Sequence, residues 1–127
     1  HVRKAHDDII RLLKKYSLPG GTVHAFNGSI QQGETYAAMG FKLGFGGMLT
    51  FERSSRLHRL ARELPASALV LETDAPDLTV ASHQGERNSP EYLPEVLAAL
   101  AKVRGETREE VAAFTSANAR QVFNLDR

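Results

Sequence analysis

Short, mostly apolar runs alternate along this chain with longer stretches in which apolar residues recur every three or four positions. Three of the short runs, at residues 22–26, 41–45 and 68–71, have the length of strands. Mostly apolar runs are typical of parallel strands that are covered on both faces, whereas a half-exposed strand alternates polar and apolar residues. The pattern therefore predicts a parallel sheet with helices packed against it.

Helices are predicted before, between and after these strands. Ser29 with Gln32 and Thr107 with Glu110 have the spacing of capping boxes, in which two side chains satisfy backbone groups at the start of a helix. Ser89, which precedes a proline, is a further candidate N-cap. The predicted helices cover residues 4–16, 30–39, 54–63, 90–104 and 108–123.

The elements follow one another as a helix and then strand, helix, strand, helix, strand and two helices. No internal repeat, low-complexity stretch or linker interrupts this order. Strands that alternate with helices indicate the α/β class. We therefore expect residues 1–127 to form a single domain.

Composition and charge exclude several kinds of site. The formal net charge is +1, so any phosphate contact must come from local groups and not from a broad basic surface. Cysteine is absent, which excludes disulfides, thiolate zinc sites and a cysteine nucleophile. No apolar run approaches the ~20 residues that span a bilayer, and no signal peptide is visible. A cytoplasmic location is the default expectation, with no membrane partner.

The chain begins at His1-Val2-Arg3 and not at a methionine. His1 stands directly before the first predicted helix, where a strand would end if further residues preceded it. We therefore expect the chain to be truncated, proteolysed or preceded by upstream sequence.

Side chains capable of chemistry stand where strands finish. His24 falls at the end of the first predicted strand, Glu72 and Asp74 follow the third, and His1 occupies the corresponding place before the first helix. The carboxyl ends of parallel strands meet at one edge, which forms the active face of barrels and open sheets. Imidazoles and carboxylates bind divalent ions that activate water, and a further carboxylate can accept the proton.

Each of these residues also has a plainer interpretation. A lone histidine in a buried strand is more often a hydrogen-bonded core residue, Asp74 could be a turn residue, and Glu72 could pair with a buried arginine. We expect His6 and His58 to be solvated, because they lie in helical stretches with charged neighbours. His83, in the loop after the third strand, either approaches the site or lies on the surface.

Several short segments follow one another in an order and with a spacing that, taken together, are more specific than any single residue. They are residues 1–5 (HVRKA), 23–29 (VHAFNGS), 43–47 (LGFGG), 71–76 (LETDAP), 85–90 (GERNSP), and Asn118-Ala119 with Phe123. Together they resemble the C-terminal half of the TatD-type metal-dependent hydrolases, although that family usually has serine at the position of Asn27. The resemblance implies the C-terminal half of a TIM-type (β/α) barrel, with about three complete parallel strands and covering helices.

The resemblance also implies roles for the residues at the strand ends. His1 and His24 would be ligands of one metal ion. Asp74 would be a metal ligand and the catalytic proton acceptor for the attacking water. Glu72 would take part in catalysis indirectly, by orienting a histidine or a basic group.

A second set of residues is expected to contact the substrate. Asn27, Gly28 and Ser29 precede a helix, so their backbone N–H groups could help to hold a phosphate. Arg87 is a candidate phosphate contact, with a structural salt bridge as the alternative. His83 completes this set if the loop that carries it approaches the site.

The implied reaction is hydrolysis of a phosphodiester, with 3′-end trimming of DNA as the best-known activity of the family. Two divalent ions would occupy an intact site, and Mg²⁺, Mn²⁺ and Zn²⁺ are all compatible with it. Ester or amide hydrolysis on the same fold is one alternative. A non-catalytic remnant is another, because the N-terminal His-x-His pair and the bridging glutamate of the family are not among these residues. We expect the isolated chain to be inactive and to self-associate through its strand edges.

Overall fold

The computed structural model describes residues 5–16, 20–72, 80–85 and 89–123. Its helices and strands are α1 (His6–Tyr16), β1 (Gly21–Val23), α2 (Ile30–Ala38), β2 (Phe41–Phe45), α3 (Ser55–Glu63), β3 (Leu69–Leu71), α4 (Leu93–Arg104) and α5 (Arg108–Phe123). Short 3₁₀ turns occupy Gly47–Thr50, Ala66–Ala68, Ala81–His83 and Pro90–Tyr92. Within the described ranges, none of the helices has the length and apolar character needed to cross a membrane.

The three strands form a parallel sheet in the order β1-β2-β3. Val23 pairs with Leu43 across the first ladder, and Phe45 pairs with Leu71 across the second. Helix α2 connects β1 to β2, and helix α3 connects β2 to β3. Neighbouring parallel strands need such a crossover connection, because the chain must return to the same end of the sheet. This arrangement confirms the predicted α/β class and the three parallel strands.

One face of the sheet is covered by the helices. Side chains alternate along a strand, so every second residue of each strand points to this face. The apolar residues on it are Val23, Phe41, Leu43, Phe45, Leu69 and Leu71. They belong to one hydrophobic cluster with Tyr36 of α2, Leu60 of α3, Leu100 of α4 and Val111 of α5, or pack directly against it. Each fully buried leucine in such a cluster stabilises the fold by roughly 1.5–3 kcal/mol.

Both predicted capping boxes are present. In the first, the Ser29 N–H donates to Gln32 Oε1 at 2.9 Å and the Gln32 N–H donates to Ser29 Oγ at 3.1 Å. In the second, the Glu110 N–H donates to Thr107 Oγ1 at 3.1 Å. The third candidate is different, because the segment after Ser89 begins as a 3₁₀ turn and α4 starts only at Leu93.

The first strand is shorter than predicted. It ends at Val23, and His24 and Ala25 form a turn in place of two more strand residues. Ala25 has a φ of 49°, which no extended strand residue adopts. The Phe26 N–H then donates to the Gly44 carbonyl at 3.0 Å. The prediction of a strand over residues 22–26 was therefore wrong at its carboxyl end.

The prediction that His6 and His58 are solvated is also wrong. His6 is only 5% exposed, and its ring lies against those of Phe26 and Tyr36. His58 is half-buried, and its Nε2 lies 2.8 Å from the Leu49 carbonyl oxygen. Both histidines stand next to charged residues in the sequence but on the side of the helix that faces the rest of the fold.

Candidate functional site

The second face of the sheet, here called the inner face, carries mostly polar residues. The strand register and the alternation of side chains assign to it the residues that do not point towards the helices. They are Thr22 and His24 from the first strand and the turn after it, Lys42 and Gly44 from β2, and Val70 and Glu72 from β3 and its carboxyl end. Candidate chemistry is therefore concentrated on one face, at the carboxyl edge.

His24 and Glu72 meet at this edge, and they follow β1 and β3, the strands on either side of β2. His24 Nε2 lies 3.2 Å from Glu72 Oε2, and the two side chains are 27% and 13% exposed. In a neutral imidazole, the nitrogen that faces a carboxylate carries the proton, so Nδ1 holds the lone pair. A carboxylate in this place fixes the orientation of the ring and makes it a stronger ligand.

The Glu72 carboxylate is held on both of its oxygens. Oε1 accepts a hydrogen bond from the Ala25 N–H at 2.5 Å, while Oε2 faces His24. Gly44 makes room for it, because a Cβ at that position would overlap the carboxylate. The glycine in the middle of β2 is thus explained by a glutamate that follows the neighbouring strand.

Ala25 gives the turn its unusual backbone. A positive φ in a residue with a Cβ costs about 1–2 kcal/mol, and such strain persists only where the surroundings enforce it. Here the Ala25 N–H is bound by Glu72 and the next N–H is bound by the Gly44 carbonyl. Glu72 therefore restrains both the ring of His24 and the backbone that carries it.

A cleft of about 210 Å³ opens beside Glu72. Asn27 and Met48 line it together with Ala25, Gly46 and Leu57. Typical small-molecule pockets measure roughly 300–1,000 Å³. The cleft is therefore large enough for one part of a ligand, next to the His24–Glu72 pair.

The residues predicted to contact a substrate are only partly brought to this place. Asn27 is exposed and lines the cleft, and its Oδ1 lies 3.1 Å from His6 Nε2. Ser29 uses its N–H and its hydroxyl in the capping box with Gln32. Gly28 is buried, and a Cβ there would crowd the side chains of Phe26, His6 and Gln32.

His83 has partners on helix α4 and the turn before it. Its ring stacks on Tyr92 with centroids 3.9 Å apart and an angle of 10° between the planes. Its Nε2 lies 3.5 Å from Glu95 Oε1. These contacts explain why the side chain is half-buried, and they hold it against the start of α4.

The predicted residues His1, Asp74 and Arg87 lie outside the described residues, so their roles stay predictions. Among the residues that the structure does describe, no three histidine, aspartate or glutamate side chains are close enough to hold a metal ion. His24 supplies an imidazole, which suits Zn²⁺ or Mn²⁺ in kind, and Glu72 supplies the carboxylate that orients it. Among the described residues, His24 therefore fits part of a ligand set.

The profile of the TatD-related DNases matches residues 1–124. The chain belongs to this family. Similar members of the TatD family include YjjV of Escherichia coli K12, named an uncharacterized metal-dependent hydrolase, which is 40% identical over 126 residues. The match covers 98% of this chain and 49% of YjjV. The chain therefore spans about half the length of the curated relatives that it matches.

Another TatD-family relative carries a more specific name. The 3′-5′ ssDNA/RNA exonuclease TatD of Klebsiella pneumoniae (strain 342) is 38% identical over 133 residues, a match that covers 99% of this chain and 51% of that protein. The crystal structure of E. coli YjjV has a TM-score of 0.88 at 40% identity, covering 96% of this chain and 48% of that one. This likeness confirms the prediction of part of a TatD-type barrel.

Sequence reasoning missed the parts of the site that depend on neighbours from elsewhere in the chain. Gly44 was placed in the second strand without a role of its own, although it faces the Glu72 carboxylate. Ala25 was placed in a strand, although it has a positive φ. His6 was placed in solvent, although it contacts Asn27. The signal that could have found Gly44 was its position inside an apolar strand, where glycine often marks a close approach.

Proposed function

We propose that the protein containing this chain is a divalent-metal-dependent phosphodiesterase that removes nucleotides from the 3′ end of DNA. The observation that carries the proposal is the His24–Glu72 pair at the carboxyl edge of a parallel sheet. The name of the K. pneumoniae relative supports single-stranded DNA or RNA as the substrate class. A local site of this kind is also consistent with a net charge of only +1.

His24 would bind one ion of a two-ion site through Nδ1, because its Nε2 faces the Glu72 carboxylate. His1 and Asp74 are the further ligands that the sequence predicts for that ion. A divalent ion held there would supply an activated water and a positive charge beside a phosphoryl oxygen. Asp74 would accept the proton of the attacking water. Asn27 and Arg87, and His83 from its position beside α4, are the proposed substrate contacts.

Glu72 acts in this proposal as a positioning residue and not as the proton acceptor. Both of its oxygens have partners within the site, one on His24 and one on the Ala25 backbone. A carboxylate in that position holds the tautomer of the histidine, as carboxylates behind metal-bound histidines do. The general base is therefore assigned to Asp74 alone.

Hydrolysis of an ester or amide is a second candidate for the same site. The observation that favours it is the apolar lining of the cleft beside Glu72, which includes Met48 and Leu57. An acyl group would bury its apolar surface there, whereas a nucleotide would place a base or a sugar. Assays with both kinds of substrate separate the two.

The test uses the full-length protein that contains this chain, with a single-stranded DNA oligonucleotide labelled at its 5′ end. A ladder of shortened labelled products in Mg²⁺, Mn²⁺ or Zn²⁺ shows removal from the 3′ end. His24→Ala should lower the rate by about 100-fold or more, since it removes a predicted metal ligand. The matched control is Arg59→Ala, a change in an exposed residue whose described partner is Glu63.

Glu72→Gln provides a sharper version of the test. The amide is nearly isosteric with the carboxylate but presents an N–H₂ where Oε2 faced His24. His24 Nε2 would then have to accept, and the proton would move to Nδ1, the proposed metal-binding nitrogen. Metal affinity should fall by about 10- to 100-fold. An enzyme that keeps full activity in the His24→Ala and Glu72→Gln variants would exclude the proposal.

A further inference from the structure

A second histidine stands behind the turn that carries His24. His6, in the first turn of α1, is 5% exposed. Its Nδ1 lies 2.9 Å from the Tyr36 hydroxyl, and its Nε2 lies 3.1 Å from Asn27 Oδ1. Its ring packs at 5.4 Å from that of Phe26 and at 5.6 Å from that of Tyr36. Both ring nitrogens of this buried histidine are therefore matched to particular partners.

The hydrogen-bonding capacity of Tyr36 decides which nitrogen of His6 carries the proton. Tyr36 is fully buried, and burial raises the pKa of its phenol, so the hydroxyl keeps its proton at neutral pH. In the part of the chain that the structure describes, His6 Nδ1 is the acceptor within reach of that hydroxyl. A buried hydroxyl without an acceptor is costly. The arrangement that satisfies it has Tyr36 donating to Nδ1 and the proton of His6 on Nε2.

The tautomer of His6 in turn sets the orientation of the Asn27 amide. A protonated Nε2 can only donate, so it must face the amide oxygen and not the amide nitrogen. Asn27 therefore turns its N–H₂ group away from His6. Asn27 is exposed, and it lines the same cleft as Glu72. The amide is thus fixed as a donor beside the His24–Glu72 pair.

Asp7, the next residue of α1, contacts the segment between His24 and α2 at its other end. Asp7 Oδ1 accepts a hydrogen bond from Gln32 Nε2 at 2.9 Å. Gln32 Oε1 accepts from the Ser29 N–H in the capping box. His6 and Asp7 therefore both contact the segment between His24 and α2. His6 contacts it at Asn27, and Asp7 contacts it through Gln32.

We propose that His6 is a positioning residue that fixes the Asn27 amide as a hydrogen-bond donor to a phosphate oxygen of the substrate. The proposal rests on the proposed function, because it assumes that a phosphate approaches the His24–Glu72 site. In this role His6 contacts neither the metal nor a reacting atom. Tyr36 completes the arrangement, since its hydroxyl selects the tautomer.

Two variants separate the positioning role from a structural one. Asn27→Asp keeps an oxygen acceptor towards His6 Nε2 but replaces the amide donors with a negatively charged oxygen. Tyr36→Phe removes the donor that selects the tautomer while it keeps the aromatic ring. Glu34→Gln is the matched control, because Glu34 is an exposed residue of α2 whose carboxylate has no part in the arrangement.

The experiment uses ¹⁵N NMR of the intact protein, with inorganic phosphate as the probe and without metal. The ring nitrogens of His6 should report a protonated Nε2, and phosphate should shift the side-chain amide signals of Asn27. Asn27→Asp should weaken phosphate binding by about tenfold or more, the loss expected for a hydrogen bond to a charged group, while His6 Nε2 keeps its proton. Tyr36→Phe should let His6 populate both tautomers and weaken phosphate binding several-fold.

Several results would overturn the proposal. One is a wild-type His6 with its proton on Nδ1, and another is an Asn27→Asp variant that binds phosphate as tightly as the wild type. The readouts also keep the two proposals apart. Asn27-dependent phosphate binding in a protein that does not cleave DNA would refute the proposed function and support the role of His6. Undiminished DNA cleavage by Asn27→Asp would support the proposed function and refute the role of His6.

Discussion

The two faces of the sheet are built from the same strands but are subject to different constraints. On the helix-covered face, residues such as Leu43 and Leu69 are fully buried in one apolar cluster. On the inner face, Gly44 lies under the carboxylate of Glu72, and Lys42 is buried with its ammonium on a backbone carbonyl. The packing of the helix-covered face depends on the volume of its side chains. The arrangement of the inner face depends on the positions of single polar atoms.

This difference separates stability from function. Loss of apolar volume on the helix-covered face costs free energy of folding wherever the surroundings cannot collapse into the space. Displacement of one carboxylate on the inner face costs less free energy, because few apolar contacts are lost. It would nevertheless remove the restraint on His24 and on the backbone of Ala25. Substitutions on the two faces should therefore differ in which measurement they affect.

The largest effect on stability is expected for Leu43→Ala. Leu43 is fully buried in the centre of the helix-covered face, and truncation of such a leucine costs roughly 2–5 kcal/mol. Urea unfolding measures the change, with Thr22→Ala as the control, because Thr22 is an exposed residue of the inner face. A cost for Leu43→Ala as small as that of the control would remove the distinction between the faces.

Gly44→Ala should have the next largest effect, and it should show in two measurements. A Cβ at Gly44 would overlap the Glu72 carboxylate, and overpacking of this kind costs about 1–3 kcal/mol. The displaced carboxylate would leave His24, so metal affinity measured by calorimetry on the intact protein should fall by about 10- to 100-fold.

A double-mutant cycle isolates the cause of that effect. In a Glu72→Ala background the carboxylate is gone, so Gly44→Ala should lose most of its cost in stability and should change metal affinity little further. Residues in contact are expected to show such non-additivity. Additive effects would mean that Gly44 acts through something other than Glu72.

The sequence predicted the elements that depend on their own residues. The capping boxes at Ser29 and Thr107 form as their spacing indicates, because both partners of each box lie within one turn of helix. The parallel sheet also follows from its apolar runs. The polar pair His24 and Glu72 was found because each residue follows a strand, and strand ends converge in this class of fold.

The features that the sequence did not predict depend on contacts between residues that are distant in sequence. Ala25 has a positive φ because its N–H is bound by a carboxylate from another part of the sheet, which no local propensity reveals. His6 is buried because Tyr36 of α2 lies against it, although its own neighbours Asp7 and Asp8 are exposed. Periodicity describes the faces of one helix, but the partner that covers a face must come from the tertiary structure.

Ala25→Gly should have a much smaller effect on stability than either change in β2. Glycine would relieve the positive φ, which costs alanine about 1–2 kcal/mol, but it would also increase the entropy of the unfolded chain by roughly 0.4–1 kcal/mol. The two contributions oppose each other, so the net change in urea unfolding should be within about 1 kcal/mol and not destabilising. The same substitution at Ala117, an exposed residue in the middle of α5, should destabilise by about 1 kcal/mol. Equal destabilisation at both positions would show that the positive φ of Ala25 costs the folded state little free energy.

The smallest effect emerges only in alkali, where the two faces should respond to pH in opposite directions. Burial lowers the pKa of Lys42 on the inner face below 10.5, so the unfolded chain binds more protons there as the pH approaches that value. Its contribution to stability therefore rises with pH through this window. Burial, with the charge of Asp7, raises the pKa of Tyr36 above 10.0. The folded state then holds the extra proton, and this contribution is lost as the pH rises above 10.0.

Urea unfolding between about pH 8 and about pH 11 separates these contributions when each variant is compared with the wild type. The stability of the wild type relative to Lys42→Met should increase with pH, because only the wild type carries the ammonium whose desolvation is relieved by deprotonation. The stability of the wild type relative to Tyr36→Phe should decrease above pH 10.0. Slopes of the same sign would contradict the assignment. Two falling slopes would mean that the burial of Lys42 against the Ser67 carbonyl does not persist in solution, since that burial is the cause of its lowered pKa. Two rising slopes would mean the same of the burial of Tyr36.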